Sequence, residues 1–359
     1  MADEQTFLDE IVANPDDDIP RLIYADWLEE QGNARGEFIR VQCELATLRK
    51  TQTRYRELRA REQELWLHHG AEWVKGFPYS LRRCVFRRGF IEESAVALSY
   101  FVRNWAKICR LTPLRHVTFT QVRDQLKILE DCPGLEKINS IRLKNAYPAV
   151  DTRPLARSPY LKNIETIVGR WCDLGLTELS KSTAVGSLRT LVLVGQYSIP
   201  AIEAFADAPQ LRLRHLDFSY GIPTRAVPVI ARARFGQTLE ELVINGVDIT
   251  DDIFIQLMES PSLPVIKDLR ASNMDYQLGV HGPGLEALAK NPRLANLRVL
   301  SLTNHPLSFR SIEAIGNSPF RAKGTKFHFG FHRMGMNSPM TAAQIESLRE
   351  RFGRTFGNL

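Results

Sequence analysis

The sequence predicts an α/β solenoid preceded by a small α-helical module. Three observations predict it. The chain has 359 residues, more than one ordinary compact core accommodates, which points to several domains or a repeat array. From Leu114 onward a short pattern, apolar-x-x-apolar-x-apolar, returns again and again. Between its copies lie short helical patterns, and prolines stand at the ends of several of them.

The first 75 residues read as helices. Phe7, Leu8, Ile11 and Val12 form one helical stripe that stops at Asn14-Pro15. A second helix starts at Asp18 with Pro20 in its first turn, carries Leu22, Ile23, Trp27 and Leu28, and ends at Gly32. A third stretch starts at Gly36 with Phe38, Ile39, Leu45 and Leu48 on one face, and continues or restarts through Tyr55, Leu58, Leu65 and Trp66. Cys84-Val85-Phe86, then Arg87-Arg88-Gly89, then Phe90-Ile91 read as strand, turn and strand.

The repeats follow. The pattern falls on Leu114/Val117/Phe119, Ile138/Ile141/Leu143, Leu188/Leu191/Leu193, Leu213/Leu216/Phe218, Leu239/Leu242/Ile244, Ile266/Leu269/Ala271 and Leu297/Leu300/Leu302. A poorer copy reads Leu161, Ile164, with Ile164 as an alternative start. Starts lie about 23–31 residues apart, the period of leucine-rich repeats. The last two apolar positions alternate, so both face one side of a short strand. A helix then returns the chain, as in Ile199–Ala208, Asp251–Glu259 and Gly284–Lys290, with Pro209, Pro261, Pro292 and Pro319 marking stops. Stacking such units places a parallel β-sheet on the concave face and helices on the convex face. Asn145, Asn273 and Asn304 stand near the position where this repeat expects Asn, while Gly195 and Tyr220 stand there in other copies. Thr325–Phe329 reads as one more strand and Thr341–Phe352 as a terminal helix, together capping the open end.

The segment FLDEIVANPDDDIPRLIYADWLEEQGNARGEFIRVQCEL, from Phe7 to Leu45, carries the run R-L-x-Y-A-D-W-L-E-E followed by R-G-E-F-I-R. With Phe86-Arg87-Arg88-Gly89-Phe90 and the repeats behind it, nearly the whole chain resembles the bacterial repeat-companion domain followed by leucine-rich repeats. The resemblance implies this architecture and assigns no activity. The expected division is a helical module over 1–75, a hairpin and connector over 76–110, and the repeat array with its cap over 111–359.

Little in the sequence points to catalysis. Asp26, Glu29, Glu30 and Glu37 beside Tyr24 form an acidic group, but Arg21, Arg35 and Arg40 are close enough in sequence to pair with it across helices. His328 and His332 are four apart, yet the Gly330 and aromatics around them suggest a strand, where that spacing does not make a ligand pair. His68-His69 suits a helix end. Cys43, Cys84, Cys109, Cys132 and Cys172 form no C-x-x-C pair, which argues against a disulfide framework and a zinc site. No phosphate-binding or nucleophile-elbow motif is present. No catalytic residue, metal or cofactor is expected.

Binding is the better expectation. The net charge is +6, and part of the excess lies between Arg35 and Arg88, including Arg49, Lys50, Arg54, Arg56, Arg59, Arg61, Arg82 and Arg83. That stretch is either an electrostatic patch for nucleic acid or a solvated helix face paired with Glu57, Glu62 and Glu64. Solvent-facing positions of the repeats include Arg115, Arg142, Lys144, Lys162, Arg189, Arg214, Asp217, Arg270 and Arg298, a mainly basic concave sheet. Trp171, Tyr197, Tyr220, Tyr276 and His305 follow the strands, either as interface anchors or as rings folded back onto the array. The candidate binding residues are Arg142, Arg189, Arg270, Trp171, Tyr197, Tyr220 and Tyr276. The expected function is a non-enzymatic scaffold for a protein partner, with nucleic acid as the alternative and neither membrane nor small-molecule substrate expected. The acidic start and the lack of a long apolar run fit a cytoplasmic protein.

Overall fold

The apolar spacing of the repeats dictates the fold, and the computed structural model describes it over residues 3–75, 77, 84–144, 150–273, 279–330, 340–353 and 356–357. The chain forms two compact units, 1–146 and 147–359.

In the first unit four helices precede a small sheet: α1 (Glu4–Ala13), α2 (Ile19–Glu30), α3 (Arg35–Thr47) and α4 (Thr53–Trp73). The third helical stretch therefore breaks and restarts. The sheet contains β1 (Cys84–Arg87) and β2 (Phe90–Ala97), then α5 (Leu98–Leu111), β3 (His116–Thr120) and β4 (Ser140–Leu143). Strands β1 and β2 form an antiparallel hairpin, and β2, β3 and β4 run parallel. Arg88 and Gly89 turn the hairpin, both with positive φ, as a two-residue turn matched to strand twist requires.

The helices are fastened to this hairpin through their cores. Ile11, Tyr24, Ala25, Leu28, Ile39 and Cys43 cluster with Phe90 of β2. A second cluster joins Phe38, Val41, Leu58, Leu65 and Trp73, with Phe86 of β1 against it. A Cβ on Gly89 would lie 2.2 Å from Ile39 Cγ1, so only glycine lets the turn touch α3. Beneath it lies an ion pair: Arg21, fully buried, meets Glu92 at 2.9 Å and also donates to the Pro15 carbonyl. Arg88 approaches the same carboxylate at 3.1 Å.

The second unit repeats one motif: a strand, a turn and a short helix. Its elements are α6 (Arg153–Arg157), β5 (Thr166–Arg170), α7 (Asp173–Lys181), β6 (Thr190–Val194), α8 (Ile199–Ala206), β7 (His215–Asp217), α9 (Val227–Ala231) and β8 (Glu241–Val243). They continue with α10 (Asp251–Glu259), β9 (Asp268–Arg270), α11 (Pro283–Ala289), β10 (Val299–Ser301), α12 (Phe309–Gly316), β11 (Lys326–His328), α13 (Ala342–Phe352) and β12 (Phe356–Gly357). From β5 to β12 each strand pairs in parallel with the next. This is the plan of a leucine-rich-repeat solenoid.

Register settles the poorly patterned copy. Thr166 pairs with Thr190 and Ile167 with Leu191, so the repeat starts at Ile164. Gly169 stands opposite Leu193 and contributes no side chain to the core column. Each of Leu188, Leu213, Leu239 and Leu297 is buried at the strand entrance, and Leu191, Leu216, Leu242, Leu269 and Leu300 are buried within it. The residue after the entrance leucine repeats a backbone device. The Arg189 carbonyl accepts from the Arg214 and His215 N–H groups at 2.8 and 3.0 Å, and the Arg214 carbonyl does the same for Glu240 and Glu241. Side chains secure the helix starts: the Asp173 carboxylate accepts from the Ser198 N–H at 2.8 Å, and the Asp251 carboxylate from the Gly284 N–H at 2.7 Å. A capping box of Thr341 and Gln344 opens α13. Among the described residues no helix is long and apolar enough to cross a membrane.

Two predictions follow from this packing. Glu92→Ala strands the buried Arg21 guanidinium, so urea denaturation should show a loss of about 3–5 kcal/mol. The double variant Arg21→Met, Glu92→Leu should recover most of it; a single variant within ~1 kcal/mol of wild type refutes the lock. Separately, burial lowers His305 from its ordinary 6.5 to about 4. Its Nδ1 accepts from the Val280 N–H at 3.0 Å, which leaves Nε2 to donate to the Ala271 carbonyl. The unfolded chain binds this proton more readily, so stability should fall as pH drops below 6.5 and level off near 4. The loss should reach roughly 3 kcal/mol, and His305→Gln should lack that part of the pH slope in chemical denaturation.

Candidate functional site

The outward positions of β5 to β11 make a broad surface of the second unit, most of it half-buried or exposed. Register fixes its rows. One row runs Thr166, Thr190, His215, Glu241, Asp268, Val299 and Lys326. The next runs Val168, Val192, Asp217, Val243, Arg270, Ser301 and His328. At one end Arg170 pairs in register with Val194.

This register corrects the expectation of a mainly basic concave sheet. Arg189, Arg214 and Arg298 sit one residue ahead of their strands, because the two residues between the first apolar pair include a non-strand position. Arg189 curls back, donating to the Gly186 and Leu188 carbonyls at 2.8 and 2.9 Å. The strands themselves carry a charged network. His215 Nδ1 lies 2.8 Å from Glu241 Oε2, and Arg270 reaches Glu241 at 3.5 Å and Asp268 at 4.0 Å. Burial and the nearby Glu241 raise the Asp268 carboxyl above its ordinary value. Next to this network Val168 and Val192 are half-buried and Val194 is 44% exposed, giving a small apolar area.

The aromatic candidates separate. Tyr220 is 67% exposed and holds a left-handed backbone, φ 59°, rare for a bulky residue. Its ring lies over Gly246, where a Cβ would come within 2.2 Å of Cδ1. Gln121, Gly246 and Asn304 hold the same left-handed conformation at the matching repeat position. Trp171 and Tyr197, by contrast, are 1% and 4% exposed, so neither ring offers itself as an anchor. Backbone ladder bonds continue past the strands, Trp171 N–H to the Val194 carbonyl and Tyr197 N–H to that of Gly221, and hold these loops against the next repeat. The Tyr197 ring packs edge-on against Phe218, centroids 5.5 Å apart, and burial drives its hydroxyl pKa upward. His305 is likewise a core residue. Tyr276, Asn145, His332, Arg82 and Arg83 lie outside the described residues. In the first unit Arg142 is exposed on β4, in register with Thr118.

Elsewhere several of the charged candidates are engaged. Arg40 pairs with Asp26 and with Glu29, and Arg61 holds Glu37 at 2.6 Å, tying neighbouring helices together. Arg54 pairs with Glu44 at 2.7 Å and Arg59 with Glu62. Arg21 and Arg35 do not join that acidic group: Arg21 pairs with Glu92, and Arg35 lies over the Phe90 ring. Burial pushes the Cys43 thiol up to about 12 and that of Cys109 to about 11.

Trp171→Ala should therefore cost about 3–5 kcal/mol of stability, as truncating a buried ring does. Denaturant unfolding checks this; a change below ~1 kcal/mol would return Trp171 to the list of surface anchors.

No family model matches the chain, and no curated protein matches it either. Solved structures do match. A crystal structure of a Bacteroides fragilis protein is similar over 86% of this chain and 86% of its own, with 14% identity and a TM-score of 0.47. An internalin from Listeria monocytogenes is similar over 64% of this chain and 66% of its own, with 17% identity and a TM-score of 0.37.

Proposed function

We propose that the chain is a non-enzymatic interaction scaffold that holds a partner protein on the outward strand positions and following loops of its second unit. The observation that carries this reading is the surface of β5 to β8. There an apolar area of Val168, Val192 and Val194 adjoins a charged network and a ring, Tyr220, held exposed by a strained backbone. Rigid repeats lose little freedom on binding, so a few such anchors supply most of the affinity. Arg270 belongs to this surface, Arg189 would act at its margin, and Arg142 would be a contact of the first unit.

The alternative of nucleic-acid binding draws less support. Arg54, Arg59 and Arg61 are engaged by carboxylates, and Asp217, Glu241 and Asp268 stand where a phosphate backbone would lie. We infer that residues 1–75 act as a repeat-companion cap, since their apolar clusters close over Phe86 and Phe90 of the hairpin. The connector would then span 76–110 and the repeats 111–359.

The test uses the full chain as bait in extracts of its native host. Tyr220→Ala combined with Val194→Arg should weaken capture of the partner tens-fold, since losing anchors worth about 2 kcal/mol each is common. The melting temperature should hardly move, because both side chains are exposed. Undiminished capture by the folded double variant refutes this surface.

A further inference from the structure

Asp217 is the carboxylate of this surface that the network does not neutralise. Glu241 is engaged by both His215 and Arg270, and Asp268 lies at the edge of the same Arg270 guanidinium. Among the described residues none of the ion pairs includes Asp217. Its Oδ1 accepts from the Ser219 N–H at 2.8 Å, which fixes the group in place. On either side in its row stand Val192 and Val243, and Tyr220 follows three residues later. The half-buried Asp217 is thus a fixed, uncompensated negative charge at an apolar margin with an aromatic ring in the same loop. Adjacent strands are ~4.8 Å apart, so one extended segment crossing them meets Val168, Val192 and Asp217 in turn.

We infer that this surface takes a peptide segment of the partner protein in which a guanidinium or ammonium group follows an aliphatic side chain, the cation meeting Asp217 and the aliphatic group Val168 and Val192. The inference rests on the scaffold reading above and adds the chemistry of the partner. A carboxylate in a partly desolvated setting gains most from a cation whose charge it shares through hydrogen bonds. The valines exclude water beside that contact. An acidic segment would place a like charge against the unpaired Asp217 and be repelled.

A displayed library of random peptides, each about nine residues long, selected on the full chain tests this. Enriched peptides should carry Arg or Lys beside an aliphatic residue, and Asp217→Asn should weaken them about tenfold or more. The asparagine keeps the acceptor for the Ser219 N–H, so the fold is preserved. Enriched peptides that lack a basic residue, or that bind wild type and Asp217→Asn equally, overturn the inference, as does the absence of enrichment. Val194→Arg separates the two levels. If acidic or neutral peptides are selected and Val194→Arg abolishes them, the scaffold surface stands and the cation preference falls. If selected peptides ignore Val194→Arg, the surface itself is misassigned.

Discussion

The structure depends on one constraint: a strand of three to five residues with one apolar face cannot bury that face alone. Neighbouring copies must supply the walls. Each repeat therefore sets its entrance leucine and its strand leucine beneath those of the next, and the backbone ladder follows from that stacking. Everything on the outward rows is a consequence. Because Leu191, Leu216, Leu242 and Leu269 are committed inward, Val192, Asp217, Val243 and Arg270 are placed outward in register.

The same constraint explains why the ends and the breaks of the pattern carry special residues. At the hairpin of the first unit, the left-handed Arg88-Gly89 turn lets α3 close against β2, and a buried arginine meets a buried glutamate beneath it. Such a pair adds little net stability compared with an apolar substitute, but losing one partner strands the other as a buried charge. Gly169 leaves a core column without a side chain, and Trp171, two residues on, is buried.

Much of this was legible in the sequence. The leucine spacing gave the strands, the prolines closed the helices, and Asp251–Glu259 forms a helix over the span its pattern indicates. The candidate surface was legible only in part. Tyr220 and Arg270 face outward as their positions suggested, whereas Trp171 and Tyr197 do not. The difference lies in the loops: Trp171 stands one residue past β5, and Tyr197 and Tyr220 stand three past β6 and β7. All three backbone N–H groups bond to the next repeat, so ring direction is set by local side-chain packing, which no pattern of residue types encodes. A one-residue offset also misplaced Arg189, Arg214 and Arg298, because the entrance position and the first strand position both lie between apolar residues. Glu241, opposite His215, and Asp268, on the same strand as Arg270, were missed for the same reason. Their signal was present in the aligned copies, one residue after Arg214's counterparts Glu240 and Lys267.

The central claim is that the outward strand face of the second unit, and not its helical side, receives the partner. Site-specific photocrosslinking measures this directly, with benzoylphenylalanine placed in turn at Val194 on that face and at Leu174, an exposed position on α7. In the native host position 194 should give a discrete crosslinked species and position 174 none. A crosslink from position 174 with none from position 194 would contradict the claim.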